Sequence, residues 1–382
     1  MSAQTFYGER LREAREARDF STTQVADHLE VTKQTISHYE KGRCRPSLEA
    51  FNKLVALLQV QTHYFYDPPL PDNESPLFFR SMAATTKRMR IAAEQKMKWL
   101  RQLSGYFSSV LEFPSVQLPP CDFPADPLKL SEDTVEKAAD DLRRFWGMGD
   151  GVITNVVRLL ESKGIIVSRM MLDTERIDGL SMIEDSTGRP FVVLAADKAT
   201  MFRSRMDAAH ELGHLILHRN VPKATLKNAE TFKRMEEQAF AFAGAFLMPS
   251  RTFSAEYLNS NIHSFLNIKL KWKSAVAAMI MRAAALNLIS ESQEKTLWVE
   301  RSRKGWRNEE PFDSDYEPEK PYMLGHALEM LAGQRSRKGL LFDIRLNAGD
   351  VEMFTCADGF FDDDGPDGND DVPILKFTRQ AG

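Results

Sequence analysis

The sequence predicts a multidomain protein: an all-α N-terminal domain, then a larger α+β domain, then a small α+β C-terminal region. Three observations predict it. The first seventy residues form a run of short amphipathic segments with helical spacing. A proline-bearing stretch and a long basic segment follow them. Beyond residue 131, helical patterns give way to three short Ile- and Val-rich segments and then return. At 382 residues and 43% apolar content, the chain can bury two or three cores. The boundaries read from these shifts are 1–70, 71–130 (linker and long basic helix), 131–290 and 291–382.

Within the first domain, Phe6, Leu11 and Ala14 share a helix face, with Arg10, Arg12, Arg15 and Arg18 on the others. Ser21-Thr22-Thr23 supplies N-cap residues for a second helix that turns Val25, Ala26 and Leu29 inward. Glu30-Val31-Thr32 makes a turn, and a third helix runs to about Tyr39 with Lys33, Gln34, Thr35, Ser37 and His38 outward. Gly42 ends it, and Pro46-Ser47 starts a fourth helix carrying Leu48, Phe51, Leu54, Val55 and Leu58. A short helix, a three-residue turn and a polar, basic helix have the shape of a helix-turn-helix. The stretch TTQVADHLEVTKQTISHYEKGRCRPSLEAFNKLVALL resembles the Cro/C1 (XRE-like) repressor family. The resemblance implies binding to a double-stranded DNA operator, with a homodimer as the default. It places Gln34, Thr35 and His38 at base edges, and Gln24, Lys33, Lys41, Arg43 and Arg45 near phosphates.

Asp67 to Pro76 holds four prolines and no periodic apolar face, and reads as a linker. From Ser81 to Leu111 a helix is expected, with Arg80, Lys87, Arg88, Arg90, Lys96, Lys98 and Arg101 against the single acid Glu94. Its basic surface reads as a solvated face, with Met89, Met97, Leu100 and Leu103 packed on the next domain. A second proline cluster, 113–127, leads into helices at 131–146 and 151–162, the latter closed by Gly164. Extended segments are expected at 165–171, 180–184 and 191–195.

Directly after them stands His210-Glu211-Leu212-Gly213-His214, in a helical pattern from about Arg203 to His218. Residues four apart lie on one face of a helix, so both imidazoles reach one metal ion, and Glu211 projects beside them as a proton acceptor for water. A third ligand is needed. His218 continues the helix but sits about 6 Å further along the axis, and reads as a helix-terminal residue. The helix expected over 232–248 offers Glu236 and Glu237.

The segments SRMDAAHELGHLILH (204–218) and EEQAFAFAGAFLMPS (236–250) resemble the ImmA/IrrE metallopeptidases, over about 132–289. The resemblance implies an α+β zincin-like fold and a Zn2+ ion held by His210, His214 and Glu236, with Glu237 as the reserve ligand. It gives Glu211 the catalytic role. It also implies endopeptidase cleavage of a protein substrate, an XRE-like repressor in trans or the chain's own linker, that derepresses genes. The competing class is a non-proteolytic XRE-type regulator whose zinc site is structural or sensory.

The remainder excludes more than it identifies. The net charge of −4 points to neither nucleic acid nor membrane for the chain as a whole. Cys44, Cys121 and Cys356 are far apart and form no CxxC, which fits a reducing cytoplasm. The charged N-terminus has no signal-peptide core, and no apolar run is long enough to span a bilayer. In the C-terminal region a helix is expected near 322–331 and strands at 340–346, 350–355 and 373–378, with the acidic cluster 361–371 as a solvated turn rather than a calcium loop.

Overall fold

Serine, threonine and asparagine N-caps start most of the helices in this chain. The computed structural model describes residues 5–79, 86–171, 178–196 and 200–362. In chain order these form α1 (Gly8–Ala17), α2 (Thr22–Leu29), α3 (Lys33–Glu40), α4 (Leu48–Leu58), β1 (Phe78–Phe79) and α5 (Lys87–Val110). Next come α6 (Glu132–Phe145), α7 (Val156–Ser162), β2 (Ile166–Met170), β3 (Gly179–Ile183), β4 (Pro190–Ala195), α8 (Met201–Leu217) and α9 (Ala229–Leu247). The chain continues through α10 (Ser250–Glu256), α11 (Ile262–Trp272), α12 (Val276–Ala285), α13 (Glu291–Arg303), α14 (Met323–Ala332), α15 (Arg337–Ile344) and α16 (Ala348–Thr355).

These elements divide into two compact units that the sequence order does not separate. One is made of residues 1–72, 83–113 and 322–382; the other of 73–82 and 114–321. In the first, Ser21, Thr32 and Ser47 accept hydrogen bonds from the backbone N–H of Gln24, Thr35 and Ala50, which fixes the starts of α2, α3 and α4. Buried Leu11, Val25, Ile36, Leu54 and Leu58 form the core expected of these helices. A single oxygen, Oε1 of buried Glu13, accepts from Arg10 Nη1 (2.9 Å), Tyr64 OH (2.8 Å) and Trp99 Nε1 (3.1 Å). That carboxylate ties α1 to the turn at 62–66 and to α5. The long basic helix buries Met97, Leu100 and Leu103 as expected, but it packs on α1 of its own unit.

The C-terminal region differs from expectation. Residues 340–346 and 350–355, read as strands, lie in or beside α15 and α16. Both helices have side-chain N-caps, Ser336 and Asn347. Local capping outweighed the β-rich apolar content of short segments. The expected strand 373–378 and residues 363–371 of the acidic cluster lie outside the described residues. Asp350 of α16 is buried and accepts from both Nη atoms of Arg18, just after α1.

In the second unit the sheet order is β1-β3-β4-β2. β2 and β4 are parallel (Ile166↔Phe191 to Met170↔Ala195), while β3 pairs antiparallel with β4 (Gly179↔Leu194 to Ile183↔Pro190). α8 packs on β3 and β4 and against α9, and α9 packs in turn on α6 and α12. Nearly every residue of α8 is buried, as expected of a helix enclosed on all sides. Arg205 of α8 pairs with Glu319, whose carboxylate also accepts the N–H groups of Val156 and Val157 at the start of α7 (2.7 and 3.1 Å). This buried carboxylate joins the site helix to α7. Lys269, fully buried, is matched by Glu310 (3.1 Å) and Asp313 (2.6 Å).

Replacing Asp350 by Ala leaves Arg18 without its charge partner. We expect a loss of about 2–4 kcal/mol from the first unit. In calorimetry this should appear as a lower midpoint for that unit's transition, with the other unit's transition unmoved.

Candidate metal centre

The centre is assembled where α8 crosses α9. A Cβ added to Gly213 would lie 3.1 Å from Phe242 Cδ1 and 3.2 Å from the Cα and carbonyl oxygen of Ala239. The missing side chain lets the two helices approach closely. Glu236 lies one turn before Ala239 and so meets the histidine face of α8. His214 Nε2 is 3.1 Å from His210 Nε2 and 3.1 Å from Glu236 Oε1, and His210 Nε2 is 3.5 Å from Glu236 Oε2. Among the described residues, these three are the group of metal-capable side chains whose ligand atoms converge, all within 4.8 Å of one another. Glu237 points elsewhere: it is exposed beside Lys233 and Arg234.

The histidines are held neutral and oriented. Burial pushes the His214 pKa down to about 3, and burial with the neighbouring His214 pushes His218 well down. Neutral imidazole is the form that donates a lone pair to a metal. His218 caps α8 and is fully buried; its Nδ1 lies 3.0 Å from His214 Nδ1, and its Nε2 lies 3.0 Å from Gln238 Oε1. Gln238 Nε2 donates to the carbonyls of Pro127 (2.8 Å) and Leu130 (3.2 Å), which leaves Oε1 to accept. His218 must then donate from Nε2 and accept at Nδ1, so His214 carries its proton on Nδ1 and turns a bare Nε2 toward His210 and Glu236. Sequence reasoning gave His218 a terminal place and did not foresee this relay. Its signal was Gln238, two residues after Glu236.

Glu211 is buried, and its Oε2 accepts from Ser181 Oγ on β3 at 2.6 Å. Gly179, two residues earlier on the same strand face, makes room: a Cβ there would sit 2.6 Å from Glu211 Oε1. Neither residue stood out in the sequence, because the pairing of β3 with the helix is long-range. Phe240 covers the His210 ring at 4.3 Å between centroids, and Phe78 stacks on His214 at 4.8 Å and 4°.

The other expected site residues lie on α2, α3 and the loop after it. Gln24, Lys33, Gln34, Lys41, Arg43 and Arg45 are exposed, and Thr35 and His38 are half-buried, while Ile36 and Tyr39 face the core. Gln24 also has a structural duty, since its Oε1 accepts from Ser21 N at 2.9 Å and completes a capping box.

Residues 160–283, which contain all of α8 and α9, match the family described as the IrrE N-terminal-like domain, a peptidase family. Residues 7–63 match a helix-turn-helix domain. The chain joins a helix-turn-helix domain to an IrrE N-terminal-like domain. A curated relative is the SPbeta prophage-derived uncharacterized HTH-type transcriptional regulator YonR of Bacillus subtilis (strain 168), 36% identical over 58 residues, 15% of this chain. The match spans about half the length of that relative (54%). Among the described residues, no helix is long and apolar enough to cross a membrane.

Removing the end of the relay tests its orienting role. Gln238→Leu should weaken binding of a divalent metal by about 10- to 100-fold, read by titration against a chelator of known affinity. Unchanged affinity would mean that His214 is oriented without it.

Proposed function

We propose that this chain is a DNA-binding transcriptional regulator with zinc-dependent endopeptidase activity, and that it cleaves a repressor protein to derepress genes. The observation that carries the reading is the convergence of His210, His214 and Glu236 beside Glu211. Ligand atoms about 2.0–2.1 Å from a tetrahedral zinc ion lie roughly 3.3 Å apart; the two imidazole Nε2 atoms at 3.1 Å and His214 Nε2 to Glu236 Oε1 at 3.1 Å fit that, and the other carboxylate oxygen lies 3.5 Å from His210. Glu236 Oε1, buried with no hydrogen-bond donor among the described residues, is the atom a cation would satisfy. Two imidazoles and one carboxylate suit zinc, with one position left for water and substrate.

When bound, zinc would supply a Lewis acid that acidifies water and polarises a peptide carbonyl. The remaining work belongs to the chain. Glu211 takes the proton of the attacking water and returns it to the departing amine. Ser181 holds that carboxylate in place by its hydrogen bond. The DNA-facing part of the proposal rests on the helix-turn-helix match and the exposure of Gln34, with Thr35 and His38 beside it. The operator is double-stranded DNA bound by a homodimer, the substrate is an XRE-like repressor or this chain's own, and the setting is the cytoplasm.

The deciding experiment compares wild type with Glu211→Gln, each assayed for zinc and incubated with XRE-like repressors of the same genome. A discrete cut made by the wild type alone is the expected result; zinc in both proteins and no cut would favour a non-proteolytic regulator. His210→Ala should lose the metal. Gln34→Ala should weaken specific DNA binding by roughly 1–3 kcal/mol, measured at fixed salt, with non-specific binding retained.

A further inference from the structure

Residues 73–79 belong to a segment, 73–82, claimed by the IrrE-like unit, although the chain on either side of that segment belongs to the other unit. They reach the candidate site as a strand. β1 pairs antiparallel with β3, Phe78 opposite Ser181 and Phe79 opposite Leu180. Ser181 is the residue that holds Glu211, so this edge of the sheet runs beside the candidate catalytic carboxylate. Phe78 is 2% exposed and sits with Val221, Leu226 and Met235 in an apolar cluster separate from the main core. Its ring lies flat on His214 and within 6.2 Å of His218.

The attachment has the character of a bound peptide more than of a sheet strand. Among the described residues two make ladder pairs, and Pro76, which has no N–H, stands just before them. Leu77 (8% exposed) and Phe79 (4%) are buried beside Phe78, and the anchors before them are polar and lie near the surface. Asn73 Nδ2 donates to Ile183 O (2.8 Å) and its Oδ1 accepts from Asp185 N (2.9 Å). Ser75 and the backbone N–H of Glu74 both donate to the Asp185 carboxylate. Buried apolar side chains, a short antiparallel ladder and peripheral polar contacts are how an extended peptide adds to a sheet edge.

We propose that the edge of β3 and the seat formed by His214, Val221, Leu226 and Met235 are a peptide-binding track, which the chain fills with its own residues 73–79. An incoming polypeptide with a phenylalanine at the matching position must displace this strand before it reaches the histidines. Because the occupant is tethered at both ends, it competes at an effective concentration on the order of millimolar, and weak substrates are excluded. The inference rests on the peptidase reading for its biological sense, but its test reads binding and not cleavage.

The test uses the full chain in a Glu211→Gln background and a fluorescein-labelled peptide, Asn-Glu-Ser-Pro-Leu-Phe-Phe, followed by anisotropy. Phe78→Ala empties the seat, and Asn73→Ala/Ser75→Ala loosens the polar anchors without touching buried apolar side chains. Both variants should bind the peptide at least tenfold more tightly than the parent. A peptide with Ala in place of its first Phe should bind each protein at least tenfold more weakly. Equal affinity for all three proteins, equal affinity for the two peptides, or binding to none overturns the proposal and makes β1 a plain structural strand. Failure to cut any repressor would count against the peptidase reading alone and leave this measurement standing.

Discussion

A helix pair can place three ligand atoms around one point only if its axes come close enough for side chains of ordinary length to meet. Here that distance is set by the pair Gly213 and Ala239, where one side chain is absent and the other is a methyl group. Interiors pack as densely as organic crystals, so a larger residue at either place moves a helix and does not merely fill a gap. The rest of the second unit serves this crossing. β3 and β4 back α8, α6 and α12 back α9, and the Arg205–Glu319 pair secures α8 to α7.

The polar groups at the crossing are costly to bury and are each given a partner. Asn, Gln and His side chains in apolar surroundings are tolerated when their hydrogen bonds are complete. From Pro127 and Leu130 through Gln238 and His218 to His214, each acceptor meets a donor in one consistent direction. The chain of bonds therefore does two things at once: it satisfies buried groups, and it chooses which nitrogen of His214 carries the proton. On the far side, β3 supplies a hydroxyl to Glu211 and withholds a side chain at residue 179.

How much of this was legible in the sequence depended on the range of the interaction. His210, Glu211 and His214 could be read because helical period turns spacing into geometry, whereas Glu236 was preferred to Glu237 through the family resemblance. The helix-turn-helix was legible from its caps and turn, down to Ser21, Thr32 and Ser47. Ser181, Gly179 and Phe78 were not, since strand pairing between residues about a hundred positions apart leaves no local trace. Phe78 fell between the proline-bearing linker, read as ending at Pro76, and the helix expected from Ser81. In α15 and α16 eight residues are too few for a clear period, and the apolar content of LLFDI and DVEMF imitates strands.

The ion pair between Arg18 and Asp350 has a temporal meaning as well as an energetic one. One partner leaves the ribosome 332 residues before the other, with the whole of 114–321 between the two halves of their unit. At about 5–20 residues per second, Arg18 waits roughly 17 to 66 s for Asp350. Once residue 321 is made, the IrrE-like unit has all of its own segments while the first unit still lacks its closing helices. The unit that begins first along the chain is thus the last to be complete.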